Sequence, residues 1–231
     1  MKVYSNSWLN IKFNSFYKVS NKKLPNKKFY DEFYKIAFEK YESIDNFPSY
    51  WLEEKKIDSV DLNKIIKKNK FKNILSLAAG LGVVEINLSK INPELNIFCN
   101  DISDNVAWNF KDSPRVKHIN LDNFFNFDFD IIYINGLDYA LTDEDYLSFL
   151  KYLFKLKSKL IMISCIVFPD NLSVKNKLGH FLKGFFGWQF WGILRTKKQH
   201  LNFFKESNLK VLEEGKTSSV GANFFILRKN D

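Results

Sequence analysis

Ile74-Leu75-Ser76-Leu77-Ala78-Ala79-Gly80-Leu81-Gly82-Val83-Val84-Glu85 reads as a buried strand, a turn of small residues and the start of a helix. A Cβ at position 80 or 82 would hold a bound molecule away from the amides of the turn and of the helix amino terminus, so Gly80 and Gly82 leave backbone open to a ligand. A glycine pair alone also suits a tight strand-to-helix connection that binds nothing. The segments around it decide between the two readings.

Working outward, short apolar runs alternate with amphipathic stretches from Lys72 onward, the sign of a parallel sheet wrapped on both faces. The spacing predicts strands at Asn73–Ala78, Leu95–Asn100, Val116–Ile119, Asp130–Asn135, Lys159–Val167, Lys210–Glu214 and Asn223–Arg228. Helices are expected near Val83–Lys90, Ser103–Lys111, Asp143–Lys155, Leu172–Lys183 and Lys197–Ser207. The turn-prone link Gly215 to Gly221 makes the last two strands an antiparallel hairpin. Before the sheet, residues 1 to 26 read as an extended arm docking a few rings. Apolar positions at helical spacing from Lys27 to Asn69 read as helices separated at Pro48, able to cover a sheet edge or close over a ligand. The expected organisation is an arm and helical cap over 1–70 and a ligand-binding α/β domain over 71–231.

Asp101 follows the second apolar strand, about twenty residues past the glycines, where an acid can accept both ribose hydroxyls of a bound nucleoside. A pyrophosphate-binding turn wants glycine or alanine three residues after its second glycine, and Glu85 stands there. Its bulk and its negative charge beside two phosphates disfavour nicotinamide and flavin dinucleotides, leaving a dinucleotide oxidoreductase as the third choice. S-adenosylmethionine carries adenosine without phosphate, and its sulfonium is a cation, so an acidic variant of the loop suits it.

On these residues the stretch from about Lys72 to Arg228 resembles a class I S-adenosylmethionine-dependent methyltransferase. The resemblance implies a Rossmann-like, doubly wound seven-stranded sheet of order 3-2-1-4-5-7-6 with strand seven antiparallel, and S-adenosylmethionine as cofactor. The stretch holding Ser76, Ala78, Gly80 and Gly82 resembles the first motif, Asp101 with Ile102 beside it the ribose site, and Asp122 in Asn120-Leu121-Asp122-Asn123 the adenine-contacting acid. Asn135 and Gly136, in Asn135-Gly136-Leu137-Asp138-Tyr139, match the loop beside the methionine part. The family has an acid where Ser76 stands and a glycine where Ala78 stands. Ser76 can reach the cofactor's amino group through water, and an alanine costs little if the turn needs no positive φ there.

Methyl transfer from a sulfonium is an in-line displacement on an activated carbon, so alignment and exclusion of water supply most of the catalysis. A hydroxyl acceptor gains from a base, for which Asp138, just past strand four, and His180, ahead of an aromatic lid, are the candidates. His118 and His200 read as structural. Arg195 is placed to bind a phosphate or carboxylate of the acceptor. The run Gly184 to Leu194 reads as core helix, pocket wall or interfacial patch. With the sugar-modifying members of the family, its rings point to a small-molecule or sugar acceptor and O-methylation. Two alternatives stay open: a binding or scaffold module without turnover, and a nucleic-acid methyltransferase. The amino-group branch of the latter lacks its Asn/Asp-Pro-Pro-aromatic signature here.

Composition bounds these readings. The 231 residues are 45% hydrophobic and 17% aromatic, enough for a conventional core. No run approaches the ~20 apolar residues of a membrane span. No secretory signal is evident, and a cytoplasmic location is expected. The net charge of +9 comes from scattered lysines with only Arg115, Arg195 and Arg228 beside them, which favours weak attraction to anionic surfaces over a nucleic-acid groove. Cys99 and Cys165, three strand spacings or about 14 Å apart in the implied sheet, cannot bridge, and no metal site is expected.

Overall fold

The apolar runs become a central sheet because each carries side chains that must be buried on both faces. A computed structural model describes residues 1–105, 113, 115–169, 174–218 and 222–230, except for the side chains of 121–123, 174–177 and 180. In chain order the elements are β1 (Lys2–Ser5), β2 (Ser7–Trp8), β3 (Ile11–Lys12), α1 (Lys27–Tyr41), α2 (Ser49–Asn69), β4 (Asn73–Leu77), α3 (Val83–Ile91), β5 (Asn96–Asn100), β6 (Val116–His118) and β7 (Phe129–Asn135). They continue with α4 (Asp143–Lys155), β8 (Ser158–Cys165), β9 (Val167–Phe168), α5 (Val174–Phe185), β10 (Gln189–Ile193), β11 (Arg195–Thr196), α6 (Lys197–Glu206), β12 (Leu209–Lys216) and β13 (Asn223–Lys229). The expected helix at 103–111 lies largely outside the described residues.

The seven-stranded sheet has the order β12-β13-β8-β7-β4-β5-β6. From β6 to β8 neighbours run parallel, and β13 is antiparallel to both β8 and β12, which is the predicted 3-2-1-4-5-7-6 arrangement. Alternate residues of each strand feed opposite layers. Ile74, Ile131 and Tyr133 pack with rings from the amino-terminal segment and α1 to α3, while Leu75, Ile132 and Ile134 pack under α4 and α6. Both cysteines are free and buried.

The amino-terminal segment is more regular than an arm. β1 pairs antiparallel with β10, and Trp8 and Phe13 stack on Phe33 and Trp191 with ring centroids 4.7 and 4.9 Å apart. Pro48 sits at the N-cap of α2, where its missing N–H costs nothing. This layer lies over the carboxyl ends of the strands, where open α/β sheets bind ligands.

Candidate active site

The turn after β4 is tightly wound: Ala78, Gly80 and Gly82 have φ of 56°, 58° and 72°. The condition under which an alanine at position 78 would cost little, that the turn needs no positive φ there, is therefore not met. The turn holds an alanine in the left-handed region, where its Cβ crowds the following carbonyl. Asp101, just past β5, braces the same turn. Its Oδ2 accepts from the Gly80 N–H at 2.8 Å and its Oδ1 from the Ser103 N–H at 3.0 Å. Each oxygen keeps a further lone pair. Burial raises the Asp101 pKa, and the backbone donors oppose that rise.

Behind the turn, the Ser76 hydroxyl donates to Glu85 Oε1 at 2.5 Å. Glu85 is 3% exposed and its Oε2 has no partner among the described residues. Burial lifts its pKa to about 7, with the Ser76 hydrogen bond opposing. A carboxyl therefore does stand at the end of the first sheet strand, delivered from the helix instead of from position 76. The sequence signal for it is a lone glutamate in the otherwise apolar first turns of α3.

Ser76, Glu85, Gly80, Gly82 and Asp101 all line one cavity of about 1820 Å³. Ala78, Ile102, Asn135 and Gly136 line it too, as do His118 and Asn120. Asn135 ends β7 and donates to Asp58 Oδ2 of α2 at 2.9 Å, tying the helical layer to the sheet edge. Gly136 has φ of 65° and donates its N–H to the Ser164 carbonyl at 2.8 Å. Trp8, Tyr30, Tyr34, Tyr50, Phe190 and Trp191 add aromatic wall. Burial raises the Tyr30, Tyr34 and Tyr139 phenols, the last to about 12, so all three stay O–H donors at neutral pH.

No protein-family model matches the sequence, and no curated protein matches it. Solved structures do match. The chain is similar to the mitomycin 7-O-methyltransferase at a TM-score of 0.63 and 14% identity, over 88% of this chain and 63% of that one. Human N-acetylserotonin methyltransferase in complex with S-adenosylmethionine gives 0.60 and 14%, over 89% and 57%. Magnesium protoporphyrin IX methyltransferase from Synechocystis PCC 6803 with bound S-adenosylhomocysteine gives 0.63 and 12%, over 88% and 97%. The fold is that of the class I S-adenosylmethionine-dependent methyltransferases. The chain spans about three fifths of the length of the first two structures and nearly all of the third.

Within this methyltransferase fold, several expected site residues sit elsewhere than expected. Asp138 is not on the cavity wall: its side chain is 1% exposed and turned inward, with Oδ2 3.6 Å from His200 Nε2 and Cys165 beside them. Burial raises it to about 7 although the Arg195 charge opposes. An acid there cannot meet a hydroxyl in the cavity. Arg195 is 0% exposed, bonded to Asp143 Oδ1 from Nε at 3.0 Å and to the Leu141 carbonyl at 2.9 Å, and it donates to the Asp138 carbonyl. Its fork is fully used inside the protein, which corrects its reading as an acceptor ligand. His200, read as structural, is buried against Tyr146 with Nδ1 3.2 Å from the phenol and does not line the cavity. His118, read as structural, instead lines the cavity and has a buried Nε2 without a partner among the described residues. The side chains of Asp122, in the turn Leu121–Asn126, and of His180, in α5, lie outside the described residues. The aromatic stretch 184–194 divides: β10 is a strand, not a core helix; Phe190 and Trp191 wall the cavity; Phe185 and Phe186 are exposed.

Proposed function

We propose that this chain is an S-adenosylmethionine-dependent methyltransferase that methylates a hydroxyl of a small, ring-bearing acceptor. The observation that carries the reading is the single cavity on which the Gly80–Gly82 turn, Asp101 and Glu85 converge. The chemistry of this donor set fits the cofactor. Asp101 retains lone pairs for two ribose hydroxyls, and the orphaned, buried Glu85 carboxyl suits the cationic methionine end. A dinucleotide pyrophosphate in the same place would meet that acid and be repelled.

When bound, the cofactor supplies a methyl group already activated on a sulfonium. The chain's own contribution is position. Gly80 and Gly82 admit a ligand to the backbone, Asn135 and Gly136 border the next strand end, and the aromatic layer excludes water and holds an acceptor flat. Tyr30, Tyr34 and Tyr139, kept protonated by burial, offer hydrogen bonds to oxygens of the acceptor. Rings against phenols suit a sugar or a hydroxylated aromatic. The three structural neighbours are named for mitomycin, N-acetylserotonin and magnesium protoporphyrin, which supports a small molecule over a nucleic acid.

The test is calorimetric titration with S-adenosylmethionine, S-adenosylhomocysteine and NAD on wild type and Asp101→Ala. Binding of the first two should weaken in the variant by roughly 1.5–3 kcal/mol, the worth of hydrogen bonds to a charged group. Binding of NAD alone, or no binding, overturns the proposal.

A further inference from the structure

We propose that the face of α5 opposite the body of the protein docks on an anionic lipid bilayer. Leu178, Phe181, Leu182 and Phe185 are 54%, 67%, 42% and 76% exposed. Their spacing of three, four and seven residues puts them on one stripe of the helix, and Phe186, 72% exposed, extends it. Isolated exposed apolar residues need no explanation, but five large ones in one stripe do.

The helix cannot roll this stripe inward. Gly184 lies against the Tyr4 ring so closely that even a Cβ there would approach it to 2.7 Å, and the Gly184 carbonyl accepts from Asn21 Nδ2 at 3.0 Å. The Phe186 N–H returns to the Leu182 carbonyl at 2.9 Å, so the last turn is held. The apolar stripe is fixed outward by its opposite side.

Charge selects the occupant. The segment Val174 to Trp188 contains Lys175, Lys177 and Lys183 and no acid, within a chain of net charge +9. Lys183 packs its ammonium 5.2 Å from the Trp188 ring centroid, an aromatic and cationic pair suited to the headgroup level. Lys22 and Lys23, next to Asn21, extend the basic rim. A second copy presenting the same basic patch would be repelled, whereas an amphipathic helix with basic flanks and Phe and Leu on its other face lies in the plane of an anionic membrane surface. No helix among the described residues is long and apolar enough to cross a membrane. Lys22 and Lys23 also line the cavity, so the docked face and the cavity mouth adjoin.

The test is flotation of the full chain with vesicles of phosphatidylcholine alone and of phosphatidylcholine with phosphatidylglycerol. The protein should float with the second only, and Phe181→Ser/Phe185→Ser/Phe186→Ser, with an unchanged melting temperature, should bind about tenfold or more weakly. Independently of any variant, amide hydrogen exchange over 181–186 should slow in the presence of the anionic vesicles. Absence of flotation, equal flotation of the variant or unchanged exchange overturns the proposal. So does light scattering that finds a wild-type dimer which the triple variant dissociates, since the stripe would then belong to a second copy.

Discussion

Ser76 and Glu85, nine residues apart in sequence, meet through a 2.5 Å hydrogen bond that joins the end of β4 to the first turn of α3. This pair places an ionisable carboxyl, held near pKa 7 by burial, on the cavity wall. A cation beside it favours the ionised form. S-adenosylmethionine affinity should therefore rise several-fold between about pH 6 and about pH 7.5 as the carboxyl loses its proton. Titrations across that range should show the rise in wild type and a flat, weaker profile in Glu85→Gln. A variant that keeps the wild-type profile would take Glu85 out of the cofactor site.

Ala78 occupies a left-handed conformation, φ 56°, that its Cβ disfavours. Ala78→Gly should relieve about 1 kcal/mol of that strain, offset in part by the greater freedom of glycine in the unfolded chain. Urea unfolding should show a small gain in stability. A loss would mean that the methyl group packs usefully where it stands.

The contrast between these residues and Asp101 shows what a sequence can disclose. The strand positions, the glycine turn and the acid past the second strand were readable because each depends on local spacing, while the strand order came from the family resemblance; the structure places Gly80, Gly82 and Asp101 together on one cavity. Asp138 and Arg195 were misplaced because their roles depend on side-chain direction. Two residues past the loop glycine, a carboxyl can face the ligand or the interior, and here it faces inward, toward His200 of α6 and beside Arg195 of β11. The β1–β10 pairing was equally hidden, since it joins segments nearly the full chain apart. Glu85 was read as an obstacle to phosphate, and only its contact with Ser76 shows the acid it supplies to the cavity wall.

Arg195 bonds the Leu141 and Asp138 carbonyls and Asp143, with its guanidinium carbon 4.8 Å from the Tyr146 ring centroid. Arg195→Met would leave two buried carbonyls without donors and remove the charge that offsets Asp138. A loss of about 3 kcal/mol is expected in denaturant unfolding. Arg195→Lys should recover part of it, since one ammonium cannot span all three partners. A loss below about 1 kcal/mol would show that the carbonyls find water instead.

Stability should also depend on pH, with a sign set by buried titratable groups. Asp138 and Glu85 are raised by burial to about 7 from 3.8 and 4.5, so they titrate at lower pH in the unfolded chain. Their contribution is greatest below the unfolded values and is lost as pH rises toward 7. His200 is lowered from 6.5 to about 4, by burial and then by the Arg195 charge, so its contribution is present above 6.5 and lost as pH falls toward 4. Two acids against one imidazole leave a net loss of stability with rising pH between about 4.5 and 6.5, and Asp101, also raised by burial, adds to that loss. Asp61 and Asp130, whose pKa values lie below the usual carboxylate range, act at lower pH and leave this window alone. The ligand-free protein should thus be more stable to urea at about pH 5 than at about pH 7. Asp138→Asn should reduce the slope, because one of the acids that set it is removed. A wild-type slope of opposite sign would mean that Asp138 and Glu85 ionise in the folded protein at ordinary carboxylate values.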